Sequence, residues 1–216
     1  MRSLIIGLVL SLAGIDVGAQ NCCSDPYVSD LAIAPNDKCS PIVINFENGG
    51  YRLTGADSAV SFDIAATGRP VTIGWTAAGA DEAFLALDRN QNGRIDNGAE
   101  LFGTATPLKN GTRAPDGFVA LAELDDNHDG LIDHQDAIWS QLLLWRDLNH
   151  DGISQPNELT PVAGSSLAAI MLDDHWTGRR DASGNLFRYE SHALIQAGSR
   201  RPTLRPIYDI FFRRVQ

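Results

Sequence analysis

Cysteine is scarce, and its placement excludes a fold built on disulfides. The 216 residues hold three, Cys22, Cys23 and Cys39, all before residue 40. In an oxidising compartment Cys39 would pair with Cys22 or Cys23 and leave an odd thiol, and three cysteines with no histidine nearby make a poor zinc site. No apolar run is long enough to cross a bilayer. The stretch Leu4 to Leu12, preceded by Arg2 and followed by Val17-Gly18-Ala19, reads as a secretory signal peptide cut after Ala19. After Leu12-Ala13-Gly14 comes Ile15 rather than Cys, which argues against a lipid anchor. Basic charge is in deficit, 17 Lys and Arg against 27 Asp and Glu for a net charge of -10, so nothing favours a nucleic-acid partner. G-x-S-x-G, H-E-x-x-H and C-x-x-C are all missing, and the chain reads as a non-enzyme.

What is present is one spacing, D-x-N-x-[DN]-G, three times over: D-R-N-Q-N-G from Asp88, D-D-N-H-D-G from Asp125 and D-L-N-H-D-G from Asp147. It is the signature of an EF-hand-type calcium loop. Calcium is a hard cation that takes six to eight oxygens; side chains at positions 1, 3 and 5 fold onto one point if position 6 turns sharply. Gly93, Gly130 and Gly152 stand at that turn. The third loop then offers Asp147, Asn149, Asp151, the Ile153 carbonyl, Gln155 and, at position 12, Glu158. The second offers Asp125, Asn127, Asp129, the Leu131 carbonyl, Asp133 and the shorter Asp136. The first offers Asp88, Asn90, Asn92, the Arg94 carbonyl and Asp96, but Ala99 occupies position 12 and Glu100 comes one place late. For Glu100 to close that loop, Asn97-Gly98 should bulge outward with a positive φ. Asn45 to Gly50 and Asp63 to Gly68 read as worn copies that turn without binding.

Charge is spread unevenly. Residues 81–158 carry 15 acidic and 5 basic side chains, whereas 175–216 carry 3 and 8. Three Ca²⁺ would offset six of the ten excess charges in the acidic part, and the basic tail reads as a solvated face. His128 and His150 fall at position 4 of their loops and His134 follows Asp133; all three read as surface residues, and His175 and His192 have no partner recognisable from spacing.

Short β-branched or aromatic runs at Ile42 to Phe46, Val60 to Ile64, Val71 to Trp75 and Phe84 to Leu87 predict strands, as do Leu167 to Leu172, Leu186 to Ile195 and Ile207 to Phe212. Phe118, Leu121 and Ala122 recur at helical spacing, and Ile138, Trp139, Leu142, Leu143 and Trp145 predict an amphipathic helix shared by the second and third loops. The fold expected is α+β, short strands packed with helices around consecutive EF-hand-like loops. Its parts are a signal peptide (1–19), a Cys-containing leader (20–40) and a calcium-binding domain (41–216).

Several strings carry a resemblance: S-P-I-V-I-N-F-E-N-G-G-Y-R-L-T from Ser40, I-D-N-G-A-E-L-F-G from Ile95, W-R-D-L-N-H-D-G-I-S-Q-P-N-E-L from Trp145 and Y-D-I-F-F from Tyr208. They resemble exported bacterial EF-hand-domain proteins and the calcium-binding modules of RTX proteins, among them the calcium-dependent self-processing module of iron-regulated RTX proteins. That resemblance implies cleavage at an Asp-Pro bond directly ahead of the first strand. Here the place is held by Ser40-Pro41, without the carboxylate, so the resemblance implies a calcium-folded module lacking that reaction. Asp25-Pro26 lies upstream, away from the matching strings. The reading is a secreted or periplasmic calcium-binding structural or binding module with an unidentified protein or surface partner; a self-processing or other hydrolytic protein is the alternative.

Overall fold

A computed structural model describes residues 39–47, 49–199 and 201–215. The segment expected to be a signal peptide, Cys22, Cys23 and Asp25-Pro26 lie outside the described residues.

The first described strand, β1 (Ile42–Asn45), is buried at all four residues because it lies at the centre of the sheet with core on both sides. Ile42 and Ile44 face one core cluster and Val43 the other, as the two-residue repeat of a strand requires. The hairpin β2 (Val60–Phe62) and β3 (Val71–Ile73) forms a separate two-stranded sheet. β4 (Glu82–Ala86) is likewise buried throughout and pairs antiparallel with β1, Val43 opposite Phe84. One α-helix occurs among the described residues, α1 (Gly117–Ala122), capped by the Asp116 side chain accepting from Val119 N. Then follow β5 (Leu131–Asp133), β6 (Leu143–Trp145), β7 (Leu159–Pro161), β8 (Leu167–Met171), β9 (His175–Arg180), β10 (Leu186–Ile195) and β11 (Thr203–Phe211). Nine of these strands make one antiparallel sheet in the order β5-β8-β10-β11-β1-β4-β6-β7, with β9 also paired to β10.

α1 packs Phe118 and Leu121 with Ile42, Ile44 and Leu85 on one face. The other face is aromatic: Trp75, Phe84, Trp145, Phe62 and Phe212 meet with ring centroids 4.4–6.0 Å apart.

The architecture is therefore predominantly β, and the α+β expectation is corrected. The shared helix does not form. Ala137–Ser140 is a short 3₁₀ turn and Leu143–Trp145 is strand β6, held between Phe84, Leu85 and Ala86 of β4 and the residues of β7. The run Leu142-Leu143-Leu144-Trp145 satisfies either period. With core on both sides, Leu142 and Leu144 enter one cluster while Leu143 and Trp145 contribute to the other. No disulfide is formed among the described residues; Cys39 is buried with Val43, Trp75 and Tyr208 in the core.

Candidate metal centre

The three D-x-N-x-[DN]-G segments share one backbone. The first Asp accepts from the fifth and sixth amides: Asp88 from Asn92 N and Gly93 N at 3.1 and 2.7 Å, Asp125 from Asp129 N and Gly130 N at 3.3 and 3.0 Å, Asp147 from Asp151 N and Gly152 N at 3.1 and 2.8 Å. The third-position Asn90, Asn127 and Asn149 accept from the fifth amide at 3.0, 3.1 and 3.2 Å. The fifth side chains Asn92, Asp129 and Asp151 accept from the seventh amide at 2.9, 2.9 and 2.8 Å. Position 6 takes φ of +81°, +81° and +72°; position 4, held by Gln91, His128 and His150, takes +58°, +58° and +63°, a left-handed conformation that costs a non-Gly residue energy.

Each loop is closed by a buried carboxylate that ties position 2 to position 9. Asp136 accepts from Asp126 N at 2.8 Å and Asp133 N at 2.9 Å. Glu158 accepts from Leu148 N at 2.8 Å and Gln155 N at 3.2 Å. Glu100, one place further along the chain, accepts from Arg89 N at 3.2 Å and Asp96 N at 2.8 Å. Its extra residue is absorbed in a 3₁₀ turn, Gly98–Glu100, and the expected outward bulge is corrected. Asn97 is extended and its side chain accepts from Ala99 N, while Gly98 packs inward: its N–H donates to Asp63 O at 2.9 Å, and a Cβ there would sit 1.9 Å from Ile64 O.

At position 9 the loops differ. Asp96 receives the side-chain amides of Asn90 and Asn92 at 3.1 and 2.6 Å, and Gln155 donates to Asp151 at 2.8 Å. Asp133 accepts from Gln135 N at 2.8 Å and lies 3.6 Å from His134 Nδ1. Arg94, Leu131 and Ile153 offer only their carbonyls at position 7, and Ile153 is 57 % exposed. Burial raises the pKa of Asp147 and nearby Glu158 adds to this, against the pull of the Gly152 and Asp151 amides.

None of these turns is flanked by the helix pair of an EF-hand. The incoming elements are β4, α1 and β6, and the outgoing ones are 3₁₀ turns. Nor do three His, Cys, Asp or Glu side chains stand together as a ready metal cluster among the described residues; amide groups of Asn and Gln separate the carboxylates.

Several contacts have no sequence signal. Trp75 Nε1 donates to Asp147 Oδ2 at 2.8 Å and Trp145 Nε1 to Glu158 Oε2 at 3.4 Å. His150 is not a free surface residue: its ring nitrogens lie 2.6 Å from Thr76 O and 3.0 Å from Ser58 Oγ. Asp63 to Gly68 repeats the loop backbone, Asp63 accepting from Thr67 N and Gly68 N, with φ of +50° at Ala66 and +76° at Gly68. Ala65 stands at its third position, and the Arg113 guanidinium donates to the Ala65 carbonyl at 2.6 Å. Away from the loops, Asp209 is buried and accepts from Gly117 N at 2.7 Å near buried Arg188. Burial and the charge of Asp209 push Asp116 up to about 7.

The SPM domain family model matches residues 42–212, from β1 to the residue after β11. The chain belongs to the SPM domain family. A curated relative, the iron-regulated protein FrpA of Neisseria meningitidis serogroup C, is 38 % identical over 161 residues. That match takes in 74 % of this chain and 14 % of the relative, so this SPM domain chain spans about a seventh of the protein it resembles. Membership in this family, with one short helix in a β architecture, replaces the EF-hand family expected from the loop spacing. No helix among the described residues is long and apolar enough to cross a membrane.

Proposed function

We propose that this SPM domain is an exported module whose fold is completed by Ca²⁺ held in the loops that begin at Asp88, Asp125 and Asp147. The observation that carries the reading is the repeat of one backbone in three places, each with left-handed positions 4 and 6 and a buried carboxylate bridging positions 2 and 9. The donor set suits a hard cation: carboxylate, amide and carbonyl oxygens with no sulfur or imidazole among them. The buried Gln155 Oε1 has no hydrogen-bond partner, an oxygen a cation in the third loop would satisfy. Asp88, Asn90, Asn92, Arg94 O, Asp96 and Glu100 would hold one ion. Asp125, Asn127, Asp129, Leu131 O, Asp133 and Asp136 would hold a second, and Asp147, Asn149, Asp151, Ile153 O, Gln155 and Glu158 a third. When bound, calcium supplies positive charge that cancels repulsion within the acidic segment.

The role is structural or in binding, not catalysis, and the partner is a protein or surface outside the cytoplasm. Ser40, ahead of β1, is buried; it donates its N–H to Thr104 Oγ1 at 3.0 Å, and its Oγ accepts from Thr104 N at 3.3 Å. Loops of this composition bind extracellular calcium with Kd on the order of 10⁻⁴–10⁻³ M. The test is a thermal melt in EDTA and in millimolar calcium: a rise in Tm with calcium is expected, and coincident melts would sink the proposal.

A further inference from the structure

The first and third loops, far apart in the chain, meet at their eighth positions. Ile95 N–H donates to Ser154 Oγ at 2.7 Å, and the same hydroxyl donates to Ile95 O at 3.3 Å. Both residues are buried, Ile95 at 2 % and Ser154 at 4 % exposure. One hydroxyl thereby satisfies both backbone groups of Ile95, as a strand partner would. In the second loop the eighth residue, Ile132, pairs instead with Ile170 of β8, toward the end of the sheet remote from β7. The β2–β3 hairpin region also touches the first and third loops: Asp63 O accepts from Gly98 N, and Ser61 O lies 3.1 Å from where a Cβ on Gly152 would be.

Resting on the calcium reading above, we infer that Ser154 couples the first and third loops into a cooperative cation-binding pair, while the second loop binds independently. In each coupled loop the bridged residue stands between the position 7 carbonyl (Arg94, Ile153) and the position 9 side chain (Asp96, Gln155). An ion that fixes one loop at positions 7 and 9 fixes the residue between them. Through the Ser154 hydroxyl it fixes the backbone of the other loop, which then loses less conformational freedom when its own ion arrives. Binding-free-energy coupling of this kind is reciprocal. Among the described residues no comparable bond links Ile132 to either partner loop; β5 pairs instead with Met171, Ile170 and Ala169 of β8.

The experiment is a calcium titration of the exported chain followed by the amide resonances of Gly93, Gly130 and Gly152, one reporter for each loop. In the unsubstituted protein Gly93 and Gly152 should move along one steep curve and Gly130 along another. Ser154→Ala should pull the Gly93 and Gly152 midpoints apart or raise them, by about 5-fold or more, and leave Gly130 in place. If removal of the buried hydroxyl prevents folding, Glu158→Gln serves instead. It alters no oxygen of the first loop, yet should raise the Gly93 midpoint, and Glu100→Gln should likewise raise the Gly152 midpoint. Independent Gly93 and Gly152 curves in the unsubstituted protein, or a Gly93 midpoint indifferent to Ser154→Ala and Glu158→Gln, overturn the coupling while leaving the calcium reading intact. Resonances that ignore calcium altogether overturn both.

Discussion

Trp75 and Asp147 join the aromatic core to the third loop. The indole N–H donates to Asp147 Oδ2 at 2.8 Å, and the same carboxylate oxygen accepts from Gly152 N. Trp75 also stacks on Phe84 with ring centroids 4.4 Å apart, so the side chain that fills the core also orients the loop's first oxygen. Tryptophan emission is therefore expected to change when calcium is added, and the change should diminish in Trp75→Phe. Losing a hydrogen bond to a buried carboxylate should also cost about 2 kcal/mol of stability, measured by urea unfolding. Emission that is identical in EDTA and millimolar calcium would contradict the link.

The three closing carboxylates bridge the same two positions but differ in reach. Glu158 has the longer side chain at position 12 and should close the tightest site; Asp136 is shorter and should close a weaker one. Glu158→Gln is expected to remove the highest-affinity step in calorimetry. Glu100→Gln should weaken a site by about 10-fold or more, since changes even beyond the ligand shell cost that much. Unchanged affinities in Glu100→Gln would mean that its bonds to Arg89 N and Asp96 N serve the fold alone.

Acidity should stabilise one part of the molecule. Asp116 has its pKa raised by burial and by Asp209 to about 7, so between the ordinary carboxylate range and pH 7 the folded chain binds a proton that the unfolded chain has lost. This contribution is fully present at low pH and is lost as pH rises through about 7. Asn at this position can still cap α1. The expectation is that Asp116→Asn flattens the fall in Tm between pH 5 and pH 8, measured in EDTA to keep calcium out of the comparison. Parallel Tm profiles for the two proteins would remove Asp116 from the account.

Gly103 and Gly98 are the most tightly enclosed of the described glycines. A Cβ at Gly103 would lie 1.7 Å from Ser40 O, and one at Gly98 would lie 1.9 Å from Ile64 O; both contacts are with backbone. Gly103→Ala and Gly98→Ala should each destabilise by about 3 kcal/mol or more. Gly79→Ala meets no atom within 4 Å, but its φ of +61° should still carry a cost of about 1 kcal/mol. Equal denaturation midpoints for the Gly103 and Gly79 variants would count against the packing described.

Spacing located the turns because their chemistry is local. An Asp that accepts from amides four and five residues on, and a Gly at positive φ, are written into six consecutive residues. The strand Leu186–Ile195 was legible from its apolar ends and the aromatics Phe187 and Tyr189. The segment from Ile138 to Trp145 was not, since its preference is settled by pairing with β4, more than 50 residues earlier. β9 carries exposed Arg179 and Arg180 and a Gly, and shows no strand pattern of its own; it exists because β10 offers it an edge. The contacts of Ser154 and Trp75 with other loops depend on tertiary approach alone, although Ser154 does stand where the other two loops have isoleucine.

The central place of β1 has a consequence for how the molecule comes into being. Its neighbours are β4 on one side and β11, the last strand among the described residues, on the other. A chain emerging N-terminus first must carry Ile42, Val43 and Ile44 with one hydrogen-bonding edge unsatisfied until residues 207–209 arrive to cover it. No fragment lacking Ile207 to Asp209 can complete the sheet, so its folding waits for them, and a premature stop ahead of Ile207 would leave the middle of the molecule open to pairing with other chains.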